Sequence, residues 1–295
     1  TFDLDRVVMP SGVEITGLGD EARCMQCHQG RASKFSIDEV IAEANLPDVD
    51  TVNPDFEFIN IHYYSAVATK YGTIAKAGYE YTGKTYDAPF AHITDLDPCI
   101  ACHDPHTQQI KIDECQTCHE EVTGQEDLKN IRMYGSLVDY DGDGNIEEGI
   151  YYEIQGLQEL LYQAIQAYAR EKNNTPIVYD LYTHPYFFVD TNNNGETDED
   201  EVKFPNKYKA WTGRLLKAAY NFQVASKDPG AHAHGGKYIM ALLYDSIEDL
   251  NSVLSSPVDI SAAHRIDHGH FAGSEEAFRH WDEDPAVPGR CSKCH

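Results

Sequence analysis

All eight cysteines of this 295-residue chain fall into four copies of one short pattern. The copies are Cys24-Met25-Gln26-Cys27-His28, Cys99-Ile100-Ala101-Cys102-His103, Cys115-Gln116-Thr117-Cys118-His119 and Cys291-Ser292-Lys293-Cys294-His295. With 14 histidines in the chain, an accidental histidine after all four C-x-x-C pairs has odds on the order of one in a hundred thousand. Zinc knuckles do not need a histidine directly after each pair, and a thioredoxin-like motif occurs once, beside a βαβ pattern absent here. The chemistry that fits is covalent haem attachment: both thiols become thioethers, and the adjoining imidazole reaches the iron from one side. Cys24, Cys27, Cys99, Cys102, Cys115, Cys118, Cys291 and Cys294 are thus the expected anchors, with His28, His103, His119 and His295 as proximal ligands. Such a chain has to fold around four large rigid groups.

Four proximal ligands leave ten histidines for the opposite faces, against four methionines, of which Met25 lies inside a motif. That supply predicts bis-histidine irons with no open position and a lower potential than His/Met ligation, which is the chemistry of electron transfer. The distal candidates are His62, on a segment read as heading a helix that runs to about Ala77; His92, just ahead of the second motif; and His106, too close to its own motif to serve the same iron. His234, His270 and His280 complete the set. His184, His232, His264 and His268 read as ordinary surface or structural histidines.

Charge removes other classes of function. Lys and Arg total 23 against 49 Asp and Glu, a formal charge of -26 that repels nucleic acid and anionic membranes and favours cations or basic partners. No run of about 18 apolar residues occurs, so a membrane-embedded chain is not expected. The first residues lack a charged and then apolar leader, which reads as a processed, exported chain. Covalent attachment of haem outside the cytoplasm leads to the same expectation, with the outside of the cell or the periplasm as the location.

Spacing predicts the organisation. His103 and Cys115 are twelve residues apart, and at about 3.6 Å per residue the second and third haems are near neighbours. A three-haem region (1–123), an acidic segment (124–204) and a helical region carrying the fourth haem (205–295) follow, as parts of one compact unit. Ile154, Leu157, Leu161, Ala164 and Tyr168 recur at helical spacing; so do Trp211, Leu215, Ala218 and Phe222, and the run from Ile239 through Leu242, Leu243, Ser246 and Leu250 to Leu254. Ser36 to Glu39 reads as a capping box opening a shorter helix toward Asn45. Strand signals are confined to short runs at 177–179 and 186–189. The expected fold class is mainly α with extensive coil, organised around four haems.

Two acidic loops carry calcium-type spacing. Asp190, Asn192, Asn194, Asp198 and Glu201 occupy positions 1, 3, 5, 9 and 12, with Gly195 at 6 and the Glu196 carbonyl at 7. Asp139, Asp141, Asp143 and Asn145 begin the same way, but the twelfth position is Ile150, so Glu147, Glu148 or a group from elsewhere must close that loop. One or two Ca²⁺ ions would relieve part of the self-repulsion. A solvated acidic turn is the plainer alternative for each.

Several patches resemble extracellular multihaem c-type cytochromes: Gly19 to Arg31, Asn60-Ile61-His62-Tyr63, Gly78 to Lys84, Cys102 to His106, Ala218 to Phe222, Asp228 to His234 and Asp245 to Leu250. Haem count and the closing motif are similar to tetrahaem members that polymerise into nanowires. That resemblance implies stacked bis-histidine haems, identical subunits added head to tail, and a histidine crossing to complete a neighbour's haem. It makes the His295 haem an expected subunit contact. The leading expectation is a filament subunit conducting electrons toward an extracellular acceptor; the alternative is a discrete carrier that docks to redox partner proteins. An oxyanion reductase needs an open iron, against which the histidine supply weighs, so the chain is not expected to be an enzyme.

Overall fold

The computed structural model describes residues 5–62, 64–87, 89–90, 92, 96–132 and 138–265. Helices α1 (Ala22–His28), α2 (Lys34–Ala44), α3 (Ala66–Ala75), α4 (Cys99–Cys102), α5 (Ile112–Cys115), α6 (Ile150–Glu171), α7 (Gly213–Ser226) and α8 (Ala231–Asn251) are joined by long coil. Strands β1 (Arg6–Val8) and β2 (Glu14–Thr16) make one antiparallel pair, and β3 (Ile177–Tyr179) and β4 (Phe187–Val189) another. The chain is therefore mainly helical, with few short strands.

The three long helices follow from their stripes. Ile154, Leu157, Leu161, Ala164 and Tyr168 on α6 are all buried, as are Leu215, Ala218 and Phe222 on α7 and Ile239, Leu242, Leu243 and Leu250 on α8. Burying one such side chain contributes about 1.5–3 kcal/mol. Helix α8 lies at the centre, packed against α3, α6 and α7. Thr212 caps α7, its Oγ1 accepting from Leu215 N at 3.1 Å. Trp211 precedes that helix and packs in an aromatic cluster with Phe58, Phe187 and Tyr208.

Residues 77–81 lie in coil, and side chains of α7 and α8 satisfy their backbone. Asn221 Oδ1 accepts from Tyr79 N at 2.7 Å and its Nδ2 donates to Tyr79 O at 2.9 Å. Tyr220 donates to Ala77 O at 2.7 Å, and the Tyr238 hydroxyl accepts from Gly78 N at 3.2 Å. Three of the patches that resemble multihaem cytochromes thus meet in one polar seam: Ser246 bonds both Asn221 and Tyr81.

The structure departs from expectation at several places. The 62–77 helix begins only at Ala66, because His62 and Tyr64 take positive φ of 78° and 56°; His62 lies in the coil ahead of it. Helix α2 is capped at Ser33, three residues before the expected box: Ser36 Oγ accepts from Ser33 N at 3.2 Å, and Asn45 ends the helix in the left-handed region. Trp211 and Leu254 fall outside the helices their stripes predicted. The runs at 177–179 and 186–189 pair as β3 and β4, in register Ile177 with Val189 and Tyr179 with Phe187.

Candidate functional site

Each described motif closes one helical turn. The backbone N–H of His103 donates to Cys99 O at 2.8 Å and that of His119 to Cys115 O at 2.9 Å, while Cys24, Cys27 and His28 lie together at the end of α1. A turn with that bond sets the first cysteine and the histidine on one face, with the second cysteine three residues along. All six described thiols are free of disulfides, as thioether formation requires. The motifs are also tied together. Cys99 N donates to Glu21 Oε2 at 3.1 Å, joining the second motif to the turn leading into the first. Lys111 N donates to Cys102 O at 2.8 Å, and His103 bridges to Ile110, clamping the third motif to the second.

Two predicted distal histidines lie close to proximal ones. The ring centres of His103 and His234 are 6.3 Å apart and those of His92 and His119 are 6.4 Å apart. An ion bound between two imidazoles by bonds of about 2 Å, with about 1.1 Å from nitrogen to ring centre, needs ring centres about 6.2 Å apart. Both pairs fit that test. Burial, then the neighbouring imidazole, holds His103 and His92 below the ordinary histidine value, which keeps them in the neutral form that binds iron.

The outer nitrogens are held as metal ligands require. His234 Nδ1 donates to the buried carboxylate of Asp228, at 2.9 and 3.0 Å to its two oxygens. That contact fixes the proton on Nδ1 and leaves Nε2 with a lone pair that can bind a metal. His28 Nδ1 donates to the Tyr64 carbonyl at 2.7 Å, the same arrangement with a backbone acceptor.

The remaining histidines divide by place. His106 is exposed at a turn whose Asp104 Oδ1 accepts from His106 N at 2.9 Å and Thr107 N at 2.7 Å. His184 stacks on Phe204 and meets the edge of Tyr186. His264, read as ordinary from sequence, donates from Nδ1 to Asp139 O at 2.7 Å, as a ligand histidine would. His232, also read as ordinary, has a buried Nδ1 with no hydrogen-bond partner and an edge contact to Tyr151, and burial pushes it down to about 4. Met9, Met25 and Met240 are packed into the apolar core. The fourth motif with Cys291, Cys294 and His295, together with His268, His270, His280 and Met133, lies outside the described residues.

The two acidic loops differ. In the first, oxygens of Asp139, Asp141 and Glu153 lie within 4.8 Å of one another, and so do those of Asp141, Asp143 and Glu148. A carboxylate from α6 reaches this loop: Glu153, fully buried, accepts from Tyr140 N at 2.8 Å and Asp141 N at 3.2 Å and pairs with Arg132. A glutamate on the otherwise apolar face of α6 was the signal available in the sequence. Burial first, then the surrounding carboxylates, pushes Asp141 up to about 7. Asn145 lies beside Glu148, its Nδ2 donating at 3.3 Å. In the second loop, Asp190 accepts from Asn194 N and Gly195 N, Asn192 and Asn194 donate to Asp198, and Asn194 Oδ1 accepts from Glu196 N. Glu201 Oε1 accepts from Thr191 N at 2.6 Å.

The chain is similar to two curated proteins of Geobacter sulfurreducens. One is the C-type polyheme cytochrome OmcB, 27% identical over 264 residues, and the other the C-type polyheme cytochrome OmcC, 26% identical over 262 residues; each match takes in 81% of this chain. The chain spans about a third of their length, 32% and 31% respectively. No family model and no solved structure matches. Similarity over this much of the chain supports common ancestry with multihaem cytochromes.

Proposed function

We propose that this protein is an exported c-type cytochrome that carries four covalent haems and transfers electrons along them, each iron held by two histidines. The carrying observation is that the ring centres of His103 and His234, and of His92 and His119, lie at iron-spanning separation. When bound, haem supplies reversible one-electron chemistry. The protein's own residues do the rest. His103 and His119 would hold an iron from the motif side, and His234 and His92 would hold it from the other. Asp228 holds the His234 proton on Nδ1, and the Tyr64 carbonyl does so for His28. An iron closed on both sides has no site for substrate, so the reading is electron transfer and not catalysis. Similarity to polyheme cytochromes supports it, and among the described residues no helix is long and apolar enough to cross a membrane.

The arrangement of subunits is the finer part of the proposal. Copies add head to tail into a conducting filament through a heterologous contact that does not close, delivering electrons to an acceptor outside the cell. The resemblance of residues 19–31, 60–63 and 228–234 to nanowire cytochromes supports this. A discrete carrier that docks to redox partners, at the surface or in the periplasm, is the second reading. It is favoured by relatives three times as long, in which a region like this one is part of a larger chain.

Electron microscopy of the holoprotein separates the two. Filaments at high concentration are expected, and dispersed particles at every concentration would leave the discrete carrier. Electron paramagnetic resonance of the ferric protein should be wholly low-spin; a substantial high-spin component would mean an open iron and would end the electron-transfer-only reading.

A further inference from the structure

The second acidic loop is built as a cation site by observations independent of its sequence spacing. Glu201, at the twelfth position, is only 1% exposed, and Asp190, at the first, only 2%. One oxygen of Glu201 is satisfied, accepting from Thr191 N, Thr191 Oγ1 and Asn192 N at 2.6, 2.8 and 3.3 Å. The other, Oε2, is buried with no hydrogen-bond partner. Since Oε1 is gripped by the loop's own first residues, the unpartnered oxygen belongs to a carboxylate seated in the loop. A buried carboxylate in that condition is costly unless a cation meets it.

The loop is held in shape from outside. Gln166 on α6 donates to Gly195 O at 2.7 Å, while Asn206 donates to Val189 O at 2.8 Å and Glu201 O at 2.9 Å. Gly195 sits at φ +81°, the conformation the sharp turn at the sixth position requires. Asn194 Oδ1 and Asn192 Oδ1 already accept from backbone N–H groups inside the loop, at 2.7 and 2.9 Å. The donor atoms are carboxylate, amide and carbonyl oxygens, with neither His nor Cys between 190 and 201. That set suits a hard divalent ion, and a flexible set of six or more oxygens suits Ca²⁺ over Mg²⁺.

We propose that residues 190–201 bind one Ca²⁺ ion through Asp190, Asn192, Asn194, the Glu196 carbonyl and Glu201, with Asp198 contributing through water. The ion fastens the β4 end of the β3–β4 pair to α6. This proposal concerns the second loop alone and does not depend on the haem assignment.

The test uses the intact holoprotein, stripped with EDTA, passed into calcium-free buffer and titrated with CaCl₂ by calorimetry. A saturable site with a dissociation constant between about 10⁻⁷ and 10⁻³ M is expected. At a hundredfold excess over that constant the thermal midpoint should rise by about 5 °C. Glu201→Gln should remove one bound ion per chain by elemental analysis, together with the rise. Should that variant fold poorly, Asn192→Ala and Asn194→Ala, at exposed positions, should each weaken binding about tenfold or more. No calcium binding up to millimolar concentration overturns the proposal. So does binding that survives Glu201→Gln but vanishes in Asp141→Asn, which would move the ion to the first loop.

Discussion

At the residue scale, Asp228 is the side chain whose role is sharpest. It lies six positions ahead of His234, 3% exposed, with both oxygens on Nδ1 of that histidine. A carboxylate on the outer nitrogen makes the imidazole a stronger donor, which favours the ferric over the ferrous state. Removing such a partner alters metal-site properties on the order of tenfold, and tenfold in a one-electron couple is about 59 mV. Asp228→Asn keeps the shape and removes the charge. It should therefore shift one component of the reductive titration by about 60 mV in the positive direction, leaving the others in place. A titration curve unchanged throughout would show that this carboxylate acts on no ligand. The aspartate was visible in the sequence as part of Asp228-Pro229-Gly230. Its service to His234 was not, since a side-chain contact depends on how the turn before α8 folds back.

At the element scale, the head of α8 matters because it carries His234 to His103. Helix α8 is kinked at Gly235, and a Cβ there would stand 2.7 Å from the Thr69 carbonyl of α3. Within α3, Gly72 takes φ 47° and ψ −127°, and a Cβ on it would meet Asp87 O, in the coil that follows, at 2.2 Å. Gly235 permits the close approach of the two helices, and Gly72 lets the coil at Asp87 lie against α3. Gly235→Ala should lower stability by about 1–3 kcal/mol through forced separation, measured by denaturant unfolding. Because it adjoins His234, it should also raise the high-spin fraction in the ferric spectrum. Retained stability with a purely low-spin spectrum would show that α8 can shift without loss. Periodicity located this helix, since a 3.6-residue stripe is a local property. Its kink was not legible, because a glycine inside a helical pattern does not say what backbone it must clear.

At the scale of the whole molecule, the long connections are anchored by half-buried ion pairs. Arg214 on α7 donates from Nε to Asp50 at 2.7 Å and also pairs with Asp249 of α8, while Tyr168 of α6 donates to Asp50 at 2.6 Å. The coil after α2 is thereby tied to all three long helices. Burial works to raise Asp50, but its bonds to Arg214 and Tyr168 outweigh it and the carboxyl is held below its usual value. A depressed carboxylate contributes stability that is present above its unfolded pKa of about 3.9 and is lost as pH falls through the folded value. Asp50→Asn should therefore cost about 1–3 kcal/mol at neutral pH, measured by denaturant unfolding. The gap to the parent protein should close below about pH 4. A gap that persists unchanged into acid would mean packing, not charge, is what Asp50 provides.

Local chemistry is what the sequence by itself determined. The motifs at 24–28, 99–103 and 115–119 each form a single turn. The stripes on α6, α7 and α8 became buried faces, and the second and third motifs are neighbours because only eleven residues separate His103 from Cys115. Tertiary structure alone decided what meets across long connections. The first motif lies against the second despite the segment from Gln29 to Pro98, joined through Glu21 and Cys99. His92 was brought to His119 and His234 to His103, whereas His106 faces outward and His62 stays in coil. Glu153 reaches the first acidic loop from a helix. The physical reason is common to all of these: periodicity and spacing act over one or two turns, but which histidine stands opposite which is set by where helices cross. Those crossings depend on core packing and close glycine contacts that are distributed over the whole chain.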